Sequence, residues 1–214
     1  MRFSRDWLDA AEPYLAGGGA VRAVEVHSVQ WAPAPARHEA GTPNVLGAVA
    51  LAAACETLAA LPAGALEVHE EELRNCLVGG LRELDGVRVQ RIWDDCPSSI
   101  GVATFTVDGY DPGLVAAVLS AEHGIGVRDG KFCAHPLLSR LGLHSGAVRA
   151  SVGVGSSSDD VERLLDAVRS LVERGPALEY HQVDGRWAPV RDRRTLPAWL
   201  TGAPSGGPSP CQGA

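Results

Sequence analysis

The residue types able to do chemistry concentrate in Gly124-Ile-Gly-Val-Arg128-Asp129-Gly130-Lys131-Phe132-Cys133-Ala134-His135-Pro136. This places Cys133 in a glycine-flanked loop, with Arg128, Lys131 and His135 a few positions away. Positive neighbours favour the thiolate, which is the nucleophilic form of cysteine. The same pattern also suits an inert cysteine beside a turn, because lone cysteines behave as small hydrophobes. Cys133-Ala-His135 supplies two ligands and no second pair, so no metal centre is expected. Arg149, in Val148-Arg149-Ala150-Ser151, is a charge inside an apolar strand. It either snorkels to solvent or faces a pocket where its forked donors grip a carboxylate. Thr42, in Glu39-Ala-Gly41-Thr42-Pro43-Asn44, precedes a helix whose free amides suit a phosphate, although Asn44 reads equally as a plain N-cap. Gly153-Val-Gly155 lacks the last glycine of a dinucleotide fingerprint and reads as a strand-to-helix link.

These residues need elements to hold them. Residues 1–43 are irregular apart from a strand-like Val21 to Val26, with Gly17-Gly18-Gly19 and Pro33-Ala34-Pro35 as breakers. Asn44 to Leu61 is rich in Ala and Leu and predicts a helix, uncharged until Glu56 and hence buried on more than one face. A second, amphipathic helix spans about Leu66 to Leu84. Strands are expected at Val87 to Ile92, Val102 to Val107, Ile125 to Val127 and Val148 to Val154, with a helix from Pro112 to Glu122. Val161, Leu164, Leu165, Val168, Leu171 and Val172 mark a last helix, for which Ser157 to Asp160 offers an N-cap with acids in the first turn. This alternation implies helices layered on a small sheet, an α+β arrangement. Thr201 to Ala214 reads as a disordered Gly/Pro tail.

Composition narrows the function classes. The chain has 214 residues, 45% of them hydrophobic, and a net charge of −7. The acidic balance excludes a sequence-independent nucleic-acid binder, which needs clustered cations. The longest apolar run, Val45 to Cys55, falls short of the ~20 residues that span a bilayer. With no apolar signal core after Met1, a cytoplasmic protein without membrane attachment is expected. The five cysteines are widely spaced and form no C-x-x-C, which argues against a disulfide framework. Lys131 is the only lysine, so any lysine chemistry in this chain must use it.

Taken together, Gly17-Gly18-Gly19, Glu39 to Asn44, His69-Glu70, Arg128-x-Gly-x-x-Cys133-Ala-x-Pro136 and Arg149-x-Ser151 resemble, in order and spacing, the C-terminal half of class V aminotransferase-fold enzymes. Among these the chain is most similar to cysteine desulfurases and selenocysteine lyases. The resemblance spans about residues 7–175. It implies an α/β chain that is the C-terminal part of the fold type I pyridoxal-phosphate (PLP) transferases. Residues 1–64 would be a remnant of the large cofactor-binding domain, 65–175 the small α+β domain, and 176–214 an extension and tail. By the same resemblance Cys133 is the catalytic thiol that takes the substrate sulfur. Arg149 would clamp the substrate carboxylate, Arg128 would line the same pocket, and Thr42 would reach the PLP of a neighbouring subunit in a homodimer. The substrate would be a small amino acid.

Departures accompany the match. The family's Schiff-base lysine lies upstream of the triple glycine, and Lys131 sits instead in the cysteine loop. Lys131-Phe132 replaces the histidine often found before the cysteine, and Asp129 is unusual there. One expectation is therefore a C-terminal portion of a PLP enzyme completed by an N-terminal half, upstream or as a separate chain, and inactive by itself. The alternative is a non-catalytic truncated remnant or partner-binding small domain.

Overall fold

A computed structural model describes residues 4–93, 100–192 and 194–195. They divide between two units, Met1–Pro62 and Ala63–Ala214. In the first, the Ser4 hydroxyl accepts the Trp7 N–H at 3.2 Å and starts helix α1 (Arg5–Ala10). Asp9 accepts the Ala34 N–H at 2.6 Å, and His38 Nε2 lies 2.8 Å from the Leu8 carbonyl, so α1 is tied to the Pro-rich segment. Strands β1 (Val21–Val24) and β2 (Val29–Trp31) pair antiparallel. The triple glycine answers a close approach: a Cβ on Gly19 would stand 2.6 Å from the Glu39 carbonyl oxygen. Its N–H donates to the Ala40 carbonyl at 3.2 Å, which fixes the loop leading to Thr42.

Helix α2 (Val45–Ala59) starts where the Asn44 side chain accepts the Gly47 N–H at 2.8 Å. Asn44 is thus the N-cap. Contrary to the expected burial, no residue of α2 is buried, and Leu46 is 84% exposed. Its Ala-rich sequence specifies helix through propensity.

The second unit is a layer of helices on one antiparallel sheet. Its elements are α3 (Ala65–Arg82), β3 (Val87–Val89), β4 (Val102–Val107), α4 (Pro112–His123), β5 (Arg128–Gly130), α5 (His135–Arg140), β6 (Ala147–Ser151) and α6 (Ser158–Arg174). The strand order is β3-β4-β6-β5. Strand alternation sorts the faces. Ala103, Phe105 and Val107 of β4 and Val148 of β6 enter the core with Leu77 and Leu81 of α3, Val115 and Leu119 of α4, and Val168 and Leu171 of α6. The opposite face carries Thr104, Arg149 and Arg128 in adjacent register. Ser157 and Asp160 exchange bonds as a capping box at the start of α6, with Asp160 N–H to Ser157 Oγ at 3.3 Å and Ser157 N–H to Asp160 Oδ2 at 3.0 Å.

The first 43 residues, expected to be irregular apart from one strand, carry α1 and the β1–β2 pair, and two further stretches differ from the sequence reading. Ile125 to Val127 is not a strand: Gly124 closes α4 with φ 66°, and the Ile125 N–H returns to the Leu119 carbonyl at 2.9 Å. Ile125 and Val127 are apolar because they pack on the core, and the ladder begins only at Arg128. The extension after residue 175 is also ordered in part, for β7 (Tyr180–Val183) and β8 (Arg186–Pro189) form an antiparallel hairpin. Asp184 and Gly185, with φ 49° and 74°, make its two-residue turn. The segments 94–99 and 196–214, and with them Cys96, Cys211 and the expected disordered tail, lie outside the described residues. No described helix is long and apolar enough to cross a membrane.

Candidate active site around Cys133

Strand β5 is the sheet edge, and pairing sets Arg128 directly opposite Arg149 of β6. Both guanidinium stems therefore leave the sheet on the face away from the core helices. After β5 the chain turns sharply. Phe132 and Cys133 adopt φ 54° and 56°, left-handed conformations that non-glycine residues rarely take. Such geometry costs on the order of 1–3 kcal/mol per residue and gathers at functional sites. The turn closes through the Ala134 N–H to the Lys131 carbonyl at 2.8 Å, and α5 follows immediately.

The consequence is a defined cluster. Cys133 Sγ is exposed and lies 3.7 Å from Arg128 Nη2. The Arg149 guanidinium sits 5.3 Å from the centroid of the Phe132 ring, a cation–π contact that packs the arginine against the cysteine loop. Arg149 Nε is buried and has no hydrogen-bond partner among the described residues. The structure thus brings Arg128, Arg149 and Cys133 together. Arg149 is half-buried and held against the cysteine loop by Phe132. Thr42 is exposed and belongs to the first unit, and the cluster belongs to the second. His69 and Glu70 have structural partners: His69 Nε2 is 3.0 Å from the Ser156 carbonyl, and a Glu70 carboxylate oxygen accepts the Gly101 N–H. No metal-binding group of His, Cys, Asp or Glu occurs among the described residues.

Two hollows flank the cluster and share Phe132. One is an apolar pocket of about 310 Å³ on the open sheet face, between Val102, Thr104 and Leu138. The other is a wider cleft of about 980 Å³ that holds Arg128, Lys131 and Cys133 on one wall and Gln182, Arg186 and Trp187 of the hairpin on the other. Sequence reasoning missed that second wall. Its signal was Asp184-Gly185 between two β-prone runs, a two-residue hairpin turn. Hydrogen bonds strap the hairpin to α4. Trp187 Nε1 donates to Asp111 Oδ1 at 3.0 Å, and Glu122 accepts the Leu178 N–H at 3.0 Å and the Tyr180 hydroxyl at 2.9 Å. Burial, and then the bond to Glu122, raise the Tyr180 phenol above its ordinary range. Beyond the hairpin, hydrogen bonds from Arg194 lower Asp192 to about 2.

Residues 1–164 match the profile of the class-V aminotransferases. The chain belongs to the class-V aminotransferase family. Within it the chain is cysteine desulfurase-like. A probable cysteine desulfurase of Pseudomonas putida is 42% identical over 166 residues, which are 78% of this chain and 40% of that protein. Among solved structures, the cysteine desulfurase of Thermococcus onnurineus superposes with a TM-score of 0.69 at 37% identity, over 78% of this chain and 41% of that one. The Escherichia coli cysteine desulfurase gives 0.68 at 33% identity, over 79% and 41%. The chain therefore spans about two fifths of the relatives it matches.

The family uses PLP, and the residues here can be tested against that cofactor. The first unit, which holds Thr42, contains no lysine. The single lysine, Lys131, lines the Cys133 cleft in the other unit. The described residues do not by themselves fit a complete PLP site.

Proposed function

We propose that this chain is the C-terminal portion of a PLP-dependent, cysteine desulfurase-like enzyme, and that it contributes the substrate clamp and the sulfur-accepting thiol. The observation that carries this reading is the cross-strand pair Arg128 and Arg149 with Cys133 Sγ 3.7 Å from Arg128. Two guanidinium groups on one face of a rigid sheet suit the carboxylate of a small amino acid such as cysteine, because a forked donor fixes both position and orientation. Phe132 restrains Arg149 before substrate arrives and so reduces the ordering cost of binding. Cys133 stands exposed on its turn, where its sulfur can meet a substrate sulfur held by the clamp. The cofactor would act as the electron sink of the reaction, and an N-terminal portion would have to bring it.

Co-expression of this chain with the N-terminal portion of the Pseudomonas putida relative tests the reading. Sulfide release from L-cysteine is expected from the pair and not from either part alone. Cys133→Ser and Arg149→Ala should each abolish it. Equal release from the Cys133→Ser pair would remove the thiol from the reaction, and no release from the wild-type pair would leave the chain as a non-catalytic remnant or partner-binding domain.

A further inference from the structure

The β7–β8 hairpin lies after residue 164, the last that the family profile matches, and the reading above gives it no task. It is nevertheless built with care. Asp111 does double duty, capping α4 through the Gly113 N–H at 2.8 Å while accepting Trp187 Nε1 at 3.0 Å. Glu122 fastens the approach to β7 at the other end of the same helix. Between these two anchors the hairpin stands over the Cys133 loop, and the space left between them is floored by the small residues Gly113, Ala116 and Ala117 of α4. At about 980 Å³ the cleft is of a size that takes a small ligand.

Its charge runs against that of the chain. The net charge of the protein is −7, yet the cleft gathers Arg128, Lys131 and Arg186, the second being the only lysine present. Of its two carboxylates, Asp111 is occupied by α4 and Trp187. Asp129 points to the α4 side of β5, with its carboxylate beside Gly113 on the cleft floor, so three cations face one free carboxylate. Arg186 is exposed and takes part in none of the ion pairs among the described residues. A concave site with cations on both walls concentrates small anions.

We propose that the hairpin completes an anion-selecting cleft over Cys133, and that the molecule taking sulfur from this cysteine is a small thiol bearing a carboxylate, which Arg186 holds. This rests on the reading of Cys133 as the sulfur carrier. In the transfer, the acceptor thiolate attacks the outer sulfur of the Cys133 persulfide. The S–S bond breaks, its electron pair stays on the Cys133 sulfur, and the acceptor leaves as the persulfide. Arg186 is a positioning residue that sets which thiols reach the outer sulfur.

The test needs no cofactor. The full chain is alkylated at low salt with iodoacetate, an anion, or iodoacetamide, its neutral counterpart, and labelling of Cys133 is followed by peptide mass spectrometry. Arg186→Gln is expected to lower the iodoacetate-to-iodoacetamide rate ratio at Cys133 about threefold, and Arg186→Glu to lower it further, with the iodoacetamide rate unchanged. Arg82→Gln, which removes the same charge from an exposed site on α3, should leave the ratio alone. A ratio indifferent to Arg186, or equally sensitive to Arg82, would overturn the anion-selecting wall. Because sulfur loading of Cys133 is measured separately, failure of the carrier reading shows as an unloaded thiol whose alkylation still depends on Arg186.

Discussion

At the scale of single residues, function turns on how an exposed thiol is held. Cys133 is one of three exposed free cysteines among the described residues, with Cys55 and Cys76, so accessibility does not distinguish it. Its neighbour does: the Arg128 guanidinium lies 3.7 Å from the sulfur. The nucleophile in alkylation is the thiolate, and a fixed cation beside the sulfur favours that charged form. Arg128→Ala should therefore slow iodoacetamide labelling of Cys133 roughly fivefold. Cys55 and Cys76 in the same digest provide internal references. An unchanged ratio of the three rates would mean that the contact does not act on the sulfur. Cys133, Arg128 and Arg149 were all legible in the sequence, because cations beside a glycine-flanked cysteine and an arginine within an apolar strand are local signals. Phe132 was not, since its role depends on a positive φ that turns its ring beneath Arg149, and no spacing rule encodes that.

At the scale of elements, the sheet and its helices were readable wherever one periodicity dominated. Helix α6 carries apolar residues at helical spacing and a Ser-x-x-Asp start, and the structure shows both the helix and its capping box. The segment 125–127 misled, because apolar residues that reach the core from an irregular stretch look like a short strand. The cap itself makes a pH prediction. Hydrogen bonds from Ser157, first from its side chain and then its backbone, lower the Asp160 carboxyl below its ordinary value. A group lowered by folding contributes its stability above the unfolded pKa and loses it as pH falls through the folded one. Amide exchange in the first turn of α6 should thus quicken as pH drops below about 4, after correction for intrinsic rates. Asp160→Ala should flatten that dependence, and a variant that keeps the wild-type profile would show that the cap is not its origin. The hairpin gives a second prediction. Glu122 accepts three donors from residues 177, 178 and 180. Glu122→Ala should speed amide exchange across β7 and β8 by roughly tenfold or more while β4 and β6 stay protected. Exchange that rises equally in the central strands would mean that Glu122 supports the whole unit, not the hairpin.

At the scale of the molecule, the two units differ in how well they use their apolar residues. The second unit buries a continuous core from Leu73 to Leu171, whereas α2 of the first buries nothing and exposes Leu46, Val49 and Leu51. Exposed apolar area of this kind favours association. Light scattering of the isolated chain should show mass rising with concentration. Leu46→Glu together with Leu51→Glu should suppress the rise, and a wild-type chain that remains monomeric at all concentrations would contradict this. The functional claim belongs to this scale too, because a chain that matches about two fifths of its relatives' length can present a clamp and a thiol without the rest of the catalytic apparatus. The most direct measurement is the mass of the Cys133 peptide after the chain, co-expressed with the N-terminal portion of the Pseudomonas putida relative, has turned over sulfur-labelled L-cysteine. One labelled sulfur is expected on Cys133, removable by a thiol reductant and absent in Arg149→Ala. Sulfide release with no label on Cys133 would contradict this.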